Sequence, residues 1–180
     1  MRRPAHQPRP VTARILGVDL GTRRIGLAIA DVGIGIARPL ATINRGASLD
    51  EDAAGLARVC GEQGATELVV GLPVEARGNE GEMAATARGW AAAIGERLRL
   101  PVTLRDERLS SFEAERRLGR MPRGRSGGAP SRTQRNAFRA KVDREAASII
   151  LQDELDARRG VTPAAPGASQ ALEPEPQEDR

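Results

Sequence analysis

The sequence predicts an α/β fold, a mixed five-stranded sheet flanked by helices. Three strand-like segments open the chain with short turns between them, the hydrophobic period then changes to that of helices alternating with two further short strands, and the chain closes on a long helical stripe. An antiparallel meander followed by alternating β and α segments is the pattern of a mixed sheet covered on both faces.

Residues 14–19 are an apolar run, 21–24 have turn character, and Ile25, Leu27 and Ile29 then alternate with Gly26, Ala28 and Ala30. This is a hairpin with one face kept small. Residues 36–43 give a third strand, which Pro39 demotes towards an edge because proline cannot donate to the ladder. Leu49, Ala53, Leu56, Val59 and Cys60 form a helical stripe, 67–70 a compact strand ending in Gly71, and Met83, Ala87, Trp90, Ala91, Ile94 and Leu98 a second stripe with Trp90 in the core. A fifth strand covers 102–104. Ser110 with Glu113 has the capping-box spacing for a short helix with the stripe Phe112, Glu115, Leu118. Residues 119–133 lack periodicity, and a last helix spans about 134–157 with Phe138, Val142, Ala146, Ile149 and Ile150 inward.

The expected organisation is a disordered leader over 1–13, rich in Pro and Arg, one domain over 14–159, and a disordered Pro/Ala/Glu-rich tail over 160–180. The start lacks a signal peptide's apolar centre and no stretch is apolar enough to span a bilayer, so a cytoplasmic protein without membrane contact is expected. Cys60 is the only cysteine, which leaves no internal disulfide.

The net charge is +4, yet residues 161–180 carry Glu173, Glu175, Glu178 and Asp179 against Arg180, a net of −3 that leaves +7 on the rest. A basic body suits a polyanionic partner, although an arginine-rich composition with one lysine, Lys141, accounts for part of it. Aromatics are 2% and there is no tyrosine, so nucleic acid would be held by its backbone and not by stacked bases.

Three acids carry the chemistry. Asp19 lies in an apolar strand between Val18 and Leu20, where a carboxylate is costly to desolvate unless paired or bound to a cation, the alternative being a cap on the hairpin turn. Glu107 follows the strand at 102–104, where α/β sheets gather ligands, the alternative being a plain surface residue. Asp143 shares a helix face with Ala146, Ala147 and Ile150, and either faces a cation or pairs with Arg139 four residues earlier. Convergent carboxylates without a histidine in the domain suit Mg²⁺ or Mn²⁺, and two such ions can hydrolyse a phosphodiester. Arg23, Arg24 and Arg108 lie beside these acids, where guanidinium forks could hold phosphates. Arg120, Arg123, Arg125, Arg132 and Arg135 lie in or beside the glycine-rich loop, read as a mobile cationic arm or as a solvated linker. The loop of Gly71, Leu72, Pro73 and 78–81 could receive a phosphate on its N–H groups.

The segments Gly17-Val18-Asp19-Leu20-Gly21-Thr22-Arg23-Arg24-Ile25-Gly26-Leu27-Ala28, Val70-Gly71-Leu72-Pro73, Asp106-Glu107-Arg108-Leu109-Ser110 and Lys141-Val142-Asp143-Arg144-Glu145-Ala146-Ala147-Ser148-Ile149-Ile150-Leu151 closely resemble the YqgF/RuvX family. That family is related to the RuvC Holliday-junction resolvases, and the resemblance, over about residues 14–157, implies the RNase H-like fold. It also implies a nuclease that trims the 5′ end of precursor 16S rRNA, with Asp19, Glu107 and Asp143 as the acidic triad. Two readings compete within nucleic-acid chemistry, a junction resolvase and a non-catalytic binding factor. ATP-binding proteins of the actin, Hsp70 and sugar-kinase type share the Asp-x-Gly-Thr turn, but they duplicate the sheet, for which 180 residues are too few; no nucleotide cofactor is expected.

Overall fold

The computed structural model describes residues 13–73, 81–107, 110–123 and 128–161. Strands β1 (Arg14–Leu20), β2 (Arg24–Asp31) and β3 (Ala37–Asn44) form the opening meander, each antiparallel to the next. Helix α1 (Leu49–Gln63) leads to β4 (Ala65–Leu72), and α2 (Glu82–Leu98) leads to β5 (Val102–Asp106). β4 is parallel to β1, and β5 is parallel to β4. Helices α3 (Ser110–Leu118) and α4 (Arg132–Arg158) follow. The sheet order is β3-β2-β1-β4-β5, with β2 alone running against the others, which is the RNase H-like arrangement that the family resemblance implies.

Strand alternation sorts the core into two layers. Leu16, Val18, Ile25, Leu27, Leu68 and Val70 face α1 and α2, where they meet Leu56, Trp90 and Ile94. Ile15, Ala28, Ala30 and Val69 face α4 and meet Ala147, Ile150, Leu151 and Leu155. The small face of the β2 pattern is thus the seat of α4, a 27-residue helix that could not lie so close to the sheet over bulkier residues. Each large core side chain buried this way contributes about 1.5–3 kcal/mol.

Trp90 occupies the core as expected, and its indole N–H donates to the buried Asp52 carboxylate at 2.9 Å. Asp52 also accepts from Arg45 Nε at 2.8 Å and from the Gly46 amide at 2.7 Å, so this acid fastens the β3–α1 connection to α2. β3 is the edge strand that Pro39 requires, with a register shift in the pairing where Ala28 meets Pro39.

Several details differ from the sequence reading. α3 starts at Ser110, which is buried within the helix, and Phe112 is 68% exposed while Ala114 packs on Val142, Ala146 and Ile149. A small residue lets two helices approach closely, so the contact runs through Ala114 and not through the aromatic ring. Met83 is likewise exposed, because α2 packs through Ala84, Ala87, Trp90, Ala91 and Ile94. α4 begins before Gln134: Ser131 and Gln134 form a reciprocal capping box that satisfies backbone donors at its start. Arg132 is therefore a helical residue, as Arg135 is, and lies on α4 beside the loop.

Candidate active site

Asp19 stands near the end of β1 on the face that carries α4, and the two strands beside it supply glycine at its level. On one side its partner across the β1–β2 ladder is Gly26. A Cβ at Gly26 would lie 2.1 Å from the Asp143 carbonyl oxygen, so the missing side chain lets the backbone of α4 settle beside Asp19. On the other side, one residue beyond the Val18–Val70 pair, β4 has Gly71. There a Cβ would lie 2.0 Å from Glu107 Oε2 and 2.8 Å from Ile150 Cδ1. Gly26 and Gly71 thus make room for the α4 backbone at Asp143 and for the Glu107 carboxylate respectively, and the charges of Glu107 and Asp143 both act on Asp19.

Glu107 is fixed by its backbone, whose N–H donates to Leu72 O at 3.2 Å, while its carbonyl accepts from Ser110 N at 3.0 Å. Its Oε2 is buried and has no hydrogen-bond partner among the described residues. Burial first, and the Asp106 charge second, push the Glu107 carboxyl up to about 7. Asp19 is pushed further, to about 8, by burial first and then by the negative charges of Glu107 and Asp143. Each acid is disfavoured as an anion because no cationic group among the described residues offsets its desolvation.

Asp143 differs. Its Oδ2 accepts from Arg24 Nε at 2.6 Å, with both side chains about a quarter exposed, so its ion pair is with β2 and not with Arg139 on its own helix. Among the described residues no group of three or more His, Cys, Asp or Glu side chains is gathered to hold a metal ion. The donor set nevertheless fits a hard divalent cation: oxygen-only ligands, two half-buried carboxyls without a cationic partner among the described residues, and an unpartnered oxygen over a glycine.

The predicted basic residues separate into groups. Arg23 is exposed on the hairpin turn that the Gly21 N–H closes on Arg24 O at 3.0 Å, and Arg24 is bound to Asp143. Arg120 lines a different hollow, of about 260 Å³, between α3 and α4 with Phe138 and Lys141, and Arg123 is exposed nearby. Arg108 and Arg125 lie outside the described residues, as do residues 78–80 of the proposed phosphate loop. The sequence reading missed that Arg139 joins Arg132 and Arg135 beside Arg23; their spacing of three and four residues on one helix was the available signal.

Among the described residues no helix is long and apolar enough to cross a membrane. The family model described as "RuvX: Holliday junction resolvase" matches residues 13–157. A protein of Anaeromyxobacter dehalogenans strain 2CP-C named "Putative pre-16S rRNA nuclease" is 48% identical over 145 residues, covering 81% of this chain and 98% of its own length. A protein of Chloroflexus aggregans with the same name is 44% identical over 146 residues, 81% of this chain and 94% of its own. Among solved structures, T. thermophilus RuvC in complex with Holliday junction substrate aligns at a TM-score of 0.47 and 17% identity, covering 83% of this chain and 97% of that one. On the family match and these identities, the chain belongs to the RuvX family.

Proposed function

We propose that this protein is a divalent-metal-dependent nuclease that trims the 5′ end of precursor 16S rRNA during ribosome biogenesis, on the free RNA or on an assembling small-subunit particle in the cytoplasm. The observation that carries the reading is the pair of half-buried carboxyls, Asp19 and Glu107, both pushed towards the protonated form by desolvation, with one Glu107 oxygen unpartnered among the described residues. A fold keeps such a destabilising arrangement where a ligand offsets it.

Asp19, Glu107 and Asp143 would hold Mg²⁺ or Mn²⁺, which would supply an activated water and stabilise the leaving oxygen of a phosphodiester. Asp19, paired with Gly26 in the β1–β2 ladder, would give the site its floor. Glu107 points an oxygen into the site from a turn anchored to β4. Asp143, paired with Arg24 here, would turn to the metal, and the Arg24 guanidinium, with Arg23 beside it, would then take a phosphate oxygen. Arg108, Arg120, Arg123 and Arg125 belong to the same proposal as outer contacts to the RNA backbone.

The names of the relatives from A. dehalogenans and C. aggregans support RNA as substrate. The family description favours a second reading, a resolvase acting on four-way DNA junctions. Purified protein should be incubated with precursor 16S rRNA and with a DNA junction, in Mg²⁺, Mn²⁺ or EDTA. Metal-dependent cleavage of the RNA supports the proposal; symmetric paired nicking of the junction with no action on the RNA replaces it by the resolvase.

A further inference from the structure

A groove of about 560 Å³ runs beside the first turns of α4, lined by Arg23, Arg24, Arg132, Arg135 and Arg139. Asn44 at the end of β3 and Asn136 complete it, and no acidic or aromatic side chain lines it. On α4 the positions 132, 135, 136 and 139 recur at helical spacing, so one face of the helix presents them all. Four residues further along lies Asp143, whose partner Arg24 is also a groove residue. From Arg132 to Asp143 the helix rises roughly 16 Å, so the groove leads along α4 directly to the acid cluster.

Elsewhere in the fold Arg45, Arg58, Arg97, Arg105, Arg117 and Arg158 have acidic partners. Arg23, Arg132 and Arg139 have none among the described residues, and Arg135 is held only by the Pro130 carbonyl. Uncompensated guanidinium groups in one concave surface concentrate positive potential there. Their forked donors match phosphate oxygens, the asparagine amides add neutral donors, and the lack of aromatics leaves bases unstacked.

We propose that this groove is a phosphate-binding subsite that holds the nucleic-acid strand by its backbone on the α4 side of the carboxylates. The inference rests on the reading of the chain as a nuclease, but binding by the groove is separable from cleavage. Arg24 joins the two, since it belongs to the groove and pairs with Asp143.

The test is fluorescence anisotropy of the full chain with a labelled single-stranded RNA, and with DNA of the same sequence, across a salt series in EDTA. The variant Arg132→Ala/Arg139→Ala is compared with Arg58→Ala/Arg97→Ala, which removes the same charge from α1 and α2 on the opposite face of the sheet. Loss of two phosphate contacts should weaken binding by about tenfold or more and reduce the log–log salt slope by about 1.4, with the control unchanged. Arg132→Lys/Arg139→Lys should recover most of the affinity, and coincident thermal melts would exclude unfolding. Equal binding by the groove variant and the control would overturn the proposal, as would loss of binding to phosphatidylserine vesicles with RNA binding intact. Groove-dependent binding by a protein that cleaves no substrate in Mg²⁺ or Mn²⁺ would sink the nuclease reading and leave the groove standing.

Discussion

In metal-free protein, Asp19→Asn should stabilise the fold at pH 8 and change it little near pH 4. The Asp19 carboxyl is raised from an ordinary 3.8 to about 8, by burial and then by Glu107 and Asp143. Between those pH values the native chain keeps a proton that the unfolded chain has released. The wild type is therefore most stable with respect to this group at or below about pH 4 and loses stability as pH rises towards 8, by up to ~1.4 kcal/mol per pH unit. Integrated over that window the upper bound is ~6 kcal/mol, and relaxation with partial access of water brings the expected gain for the uncharged asparagine to about 2–3 kcal/mol. For a chain of this size that corresponds to a rise in Tm of about 5–10 °C. The assay is thermal unfolding in EDTA at pH 5, 6, 7 and 8, where the variant should show a flatter dependence than the wild type. Parallel curves, or a wild type that gains stability from pH 5 to pH 8, would refute the argument that Asp19 is an uncompensated, desolvated acid.

Other perturbations read the same architecture. Gly71→Ala sets a methyl 2.0 Å from Glu107 Oε2, and displacing that carboxylate by about an ångström should cut cleavage about a hundredfold while oligonucleotide affinity holds, as single-turnover and anisotropy measurements would show. Gly26→Ala meets the backbone of α4 at Asp143, which cannot rotate away, and should cost at least ~2 kcal/mol in urea unfolding. Asp52→Ala orphans the Trp90 indole N–H, the Arg45 guanidinium and the Gly46 amide, a loss of about 3 kcal/mol in the same assay, whereas Asp52→Asn, which keeps an acceptor for Trp90, should cost less.

The hydrophobic period made the order of elements legible, because two repeats, of about two and of about 3.6 residues, separate strands from helices without tertiary information. The alternation of Gly26, Ala28 and Ala30 with Ile25, Leu27 and Ile29 even marked the face on which α4 sits. What stayed illegible depended on which residue of a short helix touches its neighbour. In α3, Phe112 has the stronger apolar signal, yet Ala114 makes the contact, since close approach of helices selects for small volume. The Ser131–Gln134 capping box was readable as a spacing and was obscured by the aperiodic stretch before it. For the site, apolar surroundings singled out Asp19 and Asp143, but the flanking roles of Gly26 and Gly71 follow from strand register, which one sequence does not specify. The Arg24–Asp143 pair is equally non-local, 119 residues apart in the chain, whereas the local Arg139 was the only candidate that helix spacing could suggest.

The central claim, that Asp19, Glu107 and Asp143 form a metal centre acting on a phosphodiester, is tested most directly by single-turnover cleavage of precursor 16S rRNA with sulfur replacing a non-bridging oxygen at the cleaved bond. Mg²⁺ is a hard ion and tolerates sulfur poorly, while Mn²⁺ accepts it better. The account predicts slow cleavage in Mg²⁺, recovery in Mn²⁺, and none in EDTA or with Asp19→Asn, Glu107→Gln or Asp143→Asn. Undiminished cleavage in EDTA, or full activity in any one of the three variants, would contradict it.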